Sequence, residues 1–306
     1  MALVESMKVG VIGLGSMGLG MATSIAARGI QVSGYDLKPD AAVRLAEAGG
    51  IIAASAQEAA QDVDALIVVV VNAAQTDGVL FGDDGATPKM KRGGVIVACA
   101  TMSPQDARRL ADKALAMGLH YLDAPISGGA VKAASGELTV MASGSDEAFE
   151  KAQRILDCVA GTVHRLGDAP GIGASFKMVN QLLAGIHIAA ACEAMTFAAR
   201  LGLDLPTVYK VITGSAGNSW MFENRGPHIL EGDYSPRSAV DIFTKDLGIV
   251  SDMGRQEKFP LQLSTTALQM FIATAAAGMG RDDDASVARM IAKLTGVVLP
   301  VSATEE

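Results

Sequence analysis

Hydrophobic and polar positions follow two different periods along the first half of the chain. Short apolar runs, typical of buried strands, lie near residues 8–13, 31–35, 65–71, 94–99, 119–122 and 138–142. Segments with helical spacing, such as Pro104–Met117, lie between these runs. Because strands that alternate with helices form a parallel sheet covered on both faces, the pattern predicts a doubly wound α/β domain over residues 1–169.

A second region begins where turn residues cluster, at Gly167–Gly173. Beyond this cluster the apolar positions follow helical spacing with almost no strand signal, which predicts an all-α domain over residues 170–306. Its first helix is predicted over about residues 175–201. At about 40 Å, this helix is long enough to join the two domains.

The link between the first strand and the first helix carries three spaced glycines, Gly13, Gly15 and Gly18. In a dinucleotide site the first permits a tight turn, the second lets the backbone approach the pyrophosphate, and the third allows close packing of helix on strand. The spacing alone is weak evidence, and a glycine-rich turn without a ligand is the alternative. Asp36 ends the second strand, where a carboxylate accepts a hydrogen bond from the adenosine ribose, and this favours a Rossmann-type dinucleotide site.

Asp36 also predicts which cofactor binds. A carboxylate accepts a hydrogen bond from a ribose 2′-hydroxyl but repels a 2′-phosphate, and no arginine adjoins Asp36, so we predict NAD. Lys38 is the one nearby cation, and we expect it to be solvated. Thr101, just after the strand near 94–99, is a candidate contact on the nicotinamide side. The alternative for Thr101 is a helix N-cap, a role for which Ser103 is better placed.

Composition and charge narrow the classes of partner. With 306 residues, 50% of them hydrophobic, the chain is long enough for two domains with separate cores. The formal net charge of −8 argues against nucleic acid or an anionic membrane as the main partner, since both attract basic surfaces. The N-terminal residues lack the pattern of a signal peptide, and the apolar run 66–71 is far too short to span a bilayer, so we expect a cytoplasmic protein.

Cysteine and histidine usage points away from disulfides and metals. Cys99, Cys158 and Cys192 are odd in number and widely separated, which favours reduced thiols. The four histidines show no metal-ligand spacing with one another or with cysteine. The sequence therefore predicts no metal site.

Lys177 is the candidate for proton transfer. It lies in the first turns of the predicted long helix, among apolar residues, and shares one face with Asn180 and Gln181. Desolvation in a closed cleft can lower the pKa of a lysine enough for it to exchange a proton with a substrate hydroxyl. An exposed lysine near a helix start is an equally weighted alternative.

The segment Asp123–Gly129 follows a predicted strand end, at the edge where α/β sheets bind ligands. Ser127 offers a hydroxyl, and Gly128 and Gly129 expose backbone N–H groups that suit a carboxylate. The alternative is a loop that only connects structural elements.

Two later segments mix polar and aromatic residues. The only tryptophan, Trp220, follows Asn218 and Ser219, a combination that suits the wall of a small pocket with hydrogen bonds to hydroxyls. The alternative for Trp220 and Phe222 is helix core. Lys245 stands beside Asp246, and the spacing does not distinguish a solvated pair from a pair in a cleft.

With these motifs in this order along the sequence, the chain resembles the β-hydroxyacid dehydrogenase family over nearly its whole length. The resemblance rests on the glycine turn with Met17, the Asp123–Gly129 loop followed by Gly136–Gly144, the spacing of Gly173, Lys177 and Asn180, and the run Lys245–Leu247. It implies a carboxylate site at Ser127, Gly128 and Gly129, proton transfer at Lys177, substrate hydrogen bonding at Asn180 and a further contact at Lys245. It also implies cofactor contacts at Leu14, Ser16, Met17, Val71, Asn72 and Lys245. Gln181 departs from the second asparagine of many members, which puts the shape of the pocket in question.

Within the family, residues 70–75, 129–134, 181–190 and 216–225 are most similar to members that oxidise a four-carbon sugar acid. The resemblance therefore implies NAD-dependent oxidation of the C2 hydroxyl of such an acid, by a homodimer or homotetramer. Relatives that act on 3-hydroxyisobutyrate, tartronate semialdehyde or glyoxylate supply the alternative substrates. The presence of Lys177 disfavours a nucleotide-binding scaffold without catalysis, and the few cations between residues 218 and 246 disfavour a phosphosugar.

Overall fold

The computed structural model describes residues 7–302. The prediction that the N-terminal residues are not a signal peptide concerns a segment that lies mostly outside the described residues. The chain forms two compact units, Met1–Lys177 and Met178–Glu306. The division falls inside one long helix, a few residues beyond the boundary predicted at residue 169.

The first unit is built on the predicted parallel sheet. Its strands are β1 (Lys8–Ile12), β2 (Gln31–Tyr35), β3 (Ile51–Ile52), β4 (Ala65–Val68), β5 (Val95–Ala98) and β6 (His120–Asp123), in the order β3-β2-β1-β4-β5-β6. All five pairings between neighbours are parallel. The order reverses after β1, so β1 and β4 flank the crevice at which such sheets bind ligands.

Helices cover both faces of this sheet. They are α1 (Gly18–Ala27), α2 (Pro39–Glu47), α3 (Ala56–Ala59), α4 (Ala73–Phe81), α5 (Pro104–Ala116), α6 (Gly129–Ser135) and α7 (Asp146–Val159). Two apolar clusters result, one on each face, because alternate residues of the buried strands point to opposite sides: Val9 and Val11 enter one cluster, and Ile12 enters the other. The doubly wound α/β prediction is confirmed.

A second sheet of three strands contains one of the strands predicted for the large sheet. The predicted strand near 138–142 does not extend the large sheet but forms β8 (Leu138–Ala142), between β7 (Ile126–Ser127) and β9 (Ala160–Arg165). The pattern gave no signal for β9 because every residue after Ala160 in that strand is exposed. The large sheet therefore ends at β6.

The second unit is helical, as predicted. It contains most of α8 (Ile172–Arg200), followed by α9 (Leu205–Thr213), α10 (Trp220–Glu231), α11 (Val240–Gln256), α12 (Gln262–Thr274) and α13 (Val287–Thr295). Between residues 178 and 302 the only β pairing is an isolated bridge that joins Ala239 to Asp283. By length and hydropathy α8 could span a bilayer, but half of its apolar window is buried inside the molecule. Ile188, Cys192 and Met195 of α8 are fully buried in the helical core, so we describe α8 as a core helix.

Candidate functional site

The glycine turn between β1 and α1 has the shape of a phosphate cradle. Gly13 has a φ of 93°, which favours glycine, and a Cβ on Gly18 would lie 1.9 Å from the carbonyl oxygen of Gly13. These two glycines are thus required by the backbone itself. A Cβ on Gly15, by contrast, would meet no atom within 4 Å, so packing within the protein does not explain this glycine. Open space above an exposed backbone fits the close approach of a pyrophosphate.

Asp36 is held beside this turn at the end of β2. Its Oδ2 accepts a hydrogen bond from the backbone N–H of Leu14 at 2.7 Å, and its Oδ1 accepts one from the N–H of Lys38 at 2.8 Å. The carboxylate is therefore fixed where a ribose would lie in a dinucleotide site. The side chain of Leu14 is buried, so Leu14 can reach a cofactor only through its backbone, whereas Ser16 is exposed. Lys38 is exposed, as predicted.

The remaining predicted cofactor contacts of the first unit lie at the carboxyl ends of β4 and β5, along the same edge of the sheet. Asn72 is the N-cap of α4, with its Oδ1 accepting from the N–H of Gln75 at 2.8 Å, and the neighbouring Val71 is 47% exposed. Thr101 lies in the loop after β5, and Ser103 is the N-cap of α5, as expected. The edge that carries Asp36 therefore also carries Asn72 and Thr101.

Asp123, at the end of β6, accepts hydrogen bonds from backbone N–H groups at the start of α8. Its Oδ2 accepts hydrogen bonds from the N–H groups of Gly171 at 2.8 Å and Ala174 at 2.9 Å. Ser143 adds a second link, since its hydroxyl donates to Asp123 and accepts from the N–H of Gly173. Burial raises the pKa of Asp123, although these three donors favour the carboxylate. Ser143 has no local spacing that indicates this role, and the only sequence signal for it is its place in the Gly136–Gly144 run of the family pattern.

Lys177 is buried, so the alternative of an exposed lysine is wrong. Its Nζ donates a hydrogen bond to the carbonyl oxygen of Ile126 at 2.9 Å. Ile126 immediately precedes Ser127, and after it the backbone turns through Gly128 and Gly129, whose φ angles are 136° and 79°. The structure thus brings the predicted proton-transfer residue and the predicted carboxylate loop together within the first unit.

Four polar residues form a connected chain in the second unit. Asn180 donates from Nδ2 to Oε1 of Gln181 at 2.9 Å, and Gln181 donates from Nε2 to Oδ2 of Asp246 at 2.5 Å. Nζ of Lys245 lies 2.6 Å from the other carboxylate oxygen of Asp246, as an ion pair without hydrogen-bond alignment. Asp246 and Gln181 are buried, so the Lys245–Asp246 pair is not a fully solvated one.

The predicted pocket segment has structural contacts of its own. Nδ2 of Asn218 donates to the carbonyl of Thr213 and to the carboxylate of Glu223. Ser219 is the N-cap of α10, with Oγ accepting from the N–H of Phe222 at 3.0 Å. Phe222 is in the core, but Trp220 is 53% exposed, so the helix-core alternative is right for the first and wrong for the second.

The three cysteines are buried thiols, and candidate metal ligands do not cluster within the part of the chain that the structure describes. Cys99, Cys158 and Cys192 are buried and not joined by disulfides, and burial raises the pKa of Cys99 to about 12, which disfavours the reactive thiolate form. Within residues 7–302, no group of three or more His, Cys, Asp or Glu side chains is arranged to hold a metal ion.

Two family models match the chain on either side of the turn-rich segment. Residues 8–167 match the NAD-binding domain of 6-phosphogluconate dehydrogenase, and residues 171–291 match the NAD-binding model of NADP-dependent 3-hydroxyisobutyrate dehydrogenase. Together they cover both units and agree with a dinucleotide cradle at the glycine turn.

Relatives match over nearly the full chain. It is 51% identical over 295 residues to the L-threonate dehydrogenase of Cupriavidus necator, covering 96% of this chain and 98% of that relative. It is 50% identical over 293 residues to the L-threonate dehydrogenase of Escherichia coli K12, covering 95% and 96% respectively. A crystal structure described as 3-hydroxyisobutyrate dehydrogenase from Salmonella typhimurium is 52% identical, with a TM-score of 0.89 over 93% of this chain and 99% of that chain. The Mycobacterium tuberculosis 3-hydroxyisobutyrate dehydrogenase with L-serine is 27% identical, with a TM-score of 0.80 over 93% of this chain and 99% of that chain.

Proposed function

This chain belongs to the 3-hydroxyisobutyrate dehydrogenase family, and we propose that it catalyses the NAD-dependent oxidation of L-threonate at the C2 hydroxyl. The observation that carries the proposal is the match to L-threonate dehydrogenases, at about half identity over nearly the whole length of each chain. The glycine cradle and the buried Lys177 supply the parts that such a reaction needs.

The names of similar proteins disagree about the substrate. Relatives at 50% and 51% identity are L-threonate dehydrogenases, whereas a structure at 52% identity is described as a 3-hydroxyisobutyrate dehydrogenase. Relatives that are 3-hydroxyisobutyrate dehydrogenases of mammalian mitochondria are only 32% and 31% identical. The agreement among several bacterial L-threonate dehydrogenases favours the sugar acid, and 3-hydroxyisobutyrate is the alternative.

Lys177 is the proposed proton acceptor. The carbonyl oxygen of Ile126 anchors its Nζ at 2.9 Å, one residue before the loop proposed to bind the substrate carboxylate. Ser127, Gly128 and Gly129 would hold the carboxylate through the hydroxyl and backbone N–H groups. Such a clamp leaves the adjacent C2 hydroxyl as the group nearest the lysine, which sets the position of oxidation.

NAD, when bound at the glycine turn, supplies the two-electron acceptor for the C2–H bond. Gly13, Gly15 and Gly18 would carry the pyrophosphate, with Leu14, Ser16 and Met17 in the same turn, and Asp36 the ribose. Val71, Asn72 and Thr101, along the same edge, are the proposed contacts toward the nicotinamide. Asp36 favours NAD over NADP because its carboxylate would repel a 2′-phosphate.

Residues of the second unit are proposed as further substrate contacts. Asn180 and Lys245 come from the family pattern, and Lys245 is also a proposed cofactor contact. Asn218 and Ser219 are the candidates for the remaining hydroxyls, although both already have structural hydrogen bonds. Substrates without those hydroxyls should react less efficiently, because Oδ1 of Asn218 is buried, has no hydrogen-bond partner among the described residues and would stay unpaired.

We also propose a cytoplasmic homodimer or homotetramer, in line with the buried thiols. One side of α8 exposes Phe176, Val179, Leu183 and Phe197, each between 49% and 62% exposed. A second copy of the chain is the proposed cover, since monomers seldom leave such large apolar side chains together in water. Leu183→Glu should reduce the mass measured by light scattering to that of one chain.

The decisive experiment is a substrate comparison with product analysis. L-threonate and 3-hydroxyisobutyrate are each incubated with NAD, and NADH formation is followed. We expect higher kcat/KM for L-threonate and a 2-oxo acid as product by carbon NMR. Faster turnover of 3-hydroxyisobutyrate would overturn the substrate, and evolved carbon dioxide with a three-carbon ketone would overturn the C2 position, because it would indicate a β-keto acid.

The proton-transfer role is tested with Lys177→Ala. Loss of the acceptor should lower kcat by about two to four orders of magnitude while NAD affinity stays nearly unchanged. Turnover within tenfold of wild type would remove Lys177 from this role.

A further inference from the structure

The four residues Asn180, Gln181, Asp246 and Lys245 form one chain of polar contacts, and the two in its middle are buried. Gln181 and Asp246 are 7% and 1% exposed. Gln181 donates to Asp246 at 2.5 Å and accepts from Asn180 at 2.9 Å, so both ends of its carboxamide are engaged. Buried polar groups of this kind are expensive to leave unpaired, so the geometry of the chain is strongly determined.

The carboxylate of Asp246 fixes the direction of every hydrogen bond in the chain. An ionised carboxylate only accepts hydrogen bonds, so Gln181 must turn its NH₂ group toward Asp246. The carbonyl oxygen of Gln181 then faces Asn180, and Asn180 in turn must present its own NH₂ group. Oδ1 of Asn180 stays outside the chain of bonds as an acceptor.

We propose that Gln181 and Asp246 are positioning residues that orient the carboxamide of Asn180, so that its Oδ1 accepts a hydrogen bond from a substrate hydroxyl. The inference rests on the proposed function, in which Asn180 contacts the substrate. An acceptor in this position selects a group that can donate, such as a hydroxyl, and disfavours a carboxylate. Asp246 has a second task, since its other oxygen pairs with Lys245.

The length of the Gln181 side chain matters to this arrangement. Its carboxamide spans from the neighbouring residue on α8 to a carboxylate on α11. Asparagine, the residue of many family members, is shorter by one carbon–carbon bond of about 1.5 Å and would not maintain both contacts. The departure from the family pattern noted in the sequence thus corresponds to a specific contact with Asp246.

The test separates hydroxyl recognition from carboxylate recognition. In Gln181→Met the side chain keeps its length but offers neither a donor to Asp246 nor an acceptor to Asn180, so Asn180 loses its fixed orientation. We expect kcat/KM for L-threonate to fall about 10- to 100-fold. Butyrate has a carboxylate but no hydroxyl, and its inhibition constant should stay within about twofold of wild type, because Ser127–Gly129 are untouched. Gln269→Met, the same change at an exposed position of α12, is the matched control and should alter neither quantity.

The double variant Gln181→Glu with Asp246→Asn provides a rescue. It exchanges the carboxylate and the carboxamide, so an acceptor again faces Asn180 and a donor again lies between the two buried groups. At least about tenfold of the lost kcat/KM should return. If Gln181→Met leaves kcat/KM unchanged, or weakens butyrate binding equally, or if the double variant shows no higher kcat/KM than Gln181→Met, the positioning role is wrong. A wild-type enzyme that does not oxidise L-threonate would instead overturn the proposed function, so the two failures are distinguishable.

Discussion

Replacement of Asp123 should both destabilise the first unit and slow catalysis, because this carboxylate holds the start of the helix that carries Lys177. Oδ2 of Asp123 accepts from two backbone N–H groups, at 2.8 and 2.9 Å, and from the hydroxyl of Ser143 at 3.3 Å. Asp123→Ala leaves these buried donors without an acceptor. Each such loss costs about 1 to 3 kcal/mol, and with partial relaxation we expect about 3 to 5 kcal/mol in the free energy of unfolding.

Asp123→Asn keeps one oxygen acceptor and should cost less, about 1 kcal/mol at neutral pH. The difference in stability between wild type and Asp123→Asn should also depend on pH. Burial raises the folded-state pKa of Asp123 above its ordinary value of 3.8. The part of its contribution to stability that is linked to protonation is therefore fully present below that value and is lost as the pH rises through the folded pKa. The difference between wild type and Asp123→Asn should therefore be larger near pH 4 than near pH 7. Urea unfolding at both pH values measures it, with Asp112→Asn, an exposed aspartate on α5, as the control.

The catalytic effect follows from the short distance along the helix. Lys177 lies less than one turn beyond Ala174, whose N–H bonds to Asp123, so a shift of this turn displaces Nζ from Ile126. Misplacement by about 1 Å can cost about 100-fold in rate. We expect kcat of Asp123→Ala to fall by about 10- to 100-fold while NAD affinity is retained. If the free energy of unfolding falls as expected but kcat stays within twofold, Asp123 stabilises the fold without positioning Lys177.

Two further predictions concern the cofactor cradle. Gly15→Ala should leave stability unchanged, because its Cβ would meet nothing within 4 Å, but it should weaken NAD binding. Gly18→Ala should destabilise the fold, since its Cβ would lie 1.9 Å from a carbonyl oxygen. Thermal unfolding and NAD titration measure both effects, and equal NAD affinity in Gly15→Ala and wild type would contradict the cradle. Asp36→Ala should reduce the ratio of kcat/KM with NAD to kcat/KM with NADP by about tenfold or more, because it removes both the ribose hydrogen bond and the repulsion of the 2′-phosphate. Steady-state kinetics with each cofactor measure this ratio. An equal ratio in wild type and variant would refute the role of Asp36.

The large sheet could be predicted because its central strands are continuous buried apolar runs. All residues of β4 and β5 are buried, which is the pattern of a parallel strand covered on both faces. β9 could not be predicted, since an exposed edge strand carries no hydrophobic run. The pattern also could not predict which sheet a strand joins. Residues 138–142 were correctly predicted as a strand, but their partners, residues 126–127 and 160–165, are set by tertiary contacts.

The candidate site divides in the same way. The glycine turn and Asp36 are local in sequence, so their spacing was informative. The burial of Lys177 was not predictable, because its acceptor lies 51 residues earlier in the chain. The role of Asp123 depends on donors 48 and 51 positions away, and no local pattern indicates such a contact.

Ser127 and Ser219, both proposed as substrate contacts, differ in whether the fold already uses the hydroxyl. Ser219 precedes α10 and has the sequence context of an N-cap, and its hydroxyl is used as one. Ser127 lies on a strand of two residues, and the following helix has no side-chain cap, so its hydroxyl does not serve that purpose. Ser219→Ala should therefore cost about 1 kcal/mol in stability, whereas Ser127→Ala should leave stability unchanged and raise KM for L-threonate about tenfold. Urea unfolding and steady-state kinetics on both variants distinguish the roles. A stability loss in Ser127→Ala without a change in KM would place its hydroxyl in the fold rather than at the substrate carboxylate.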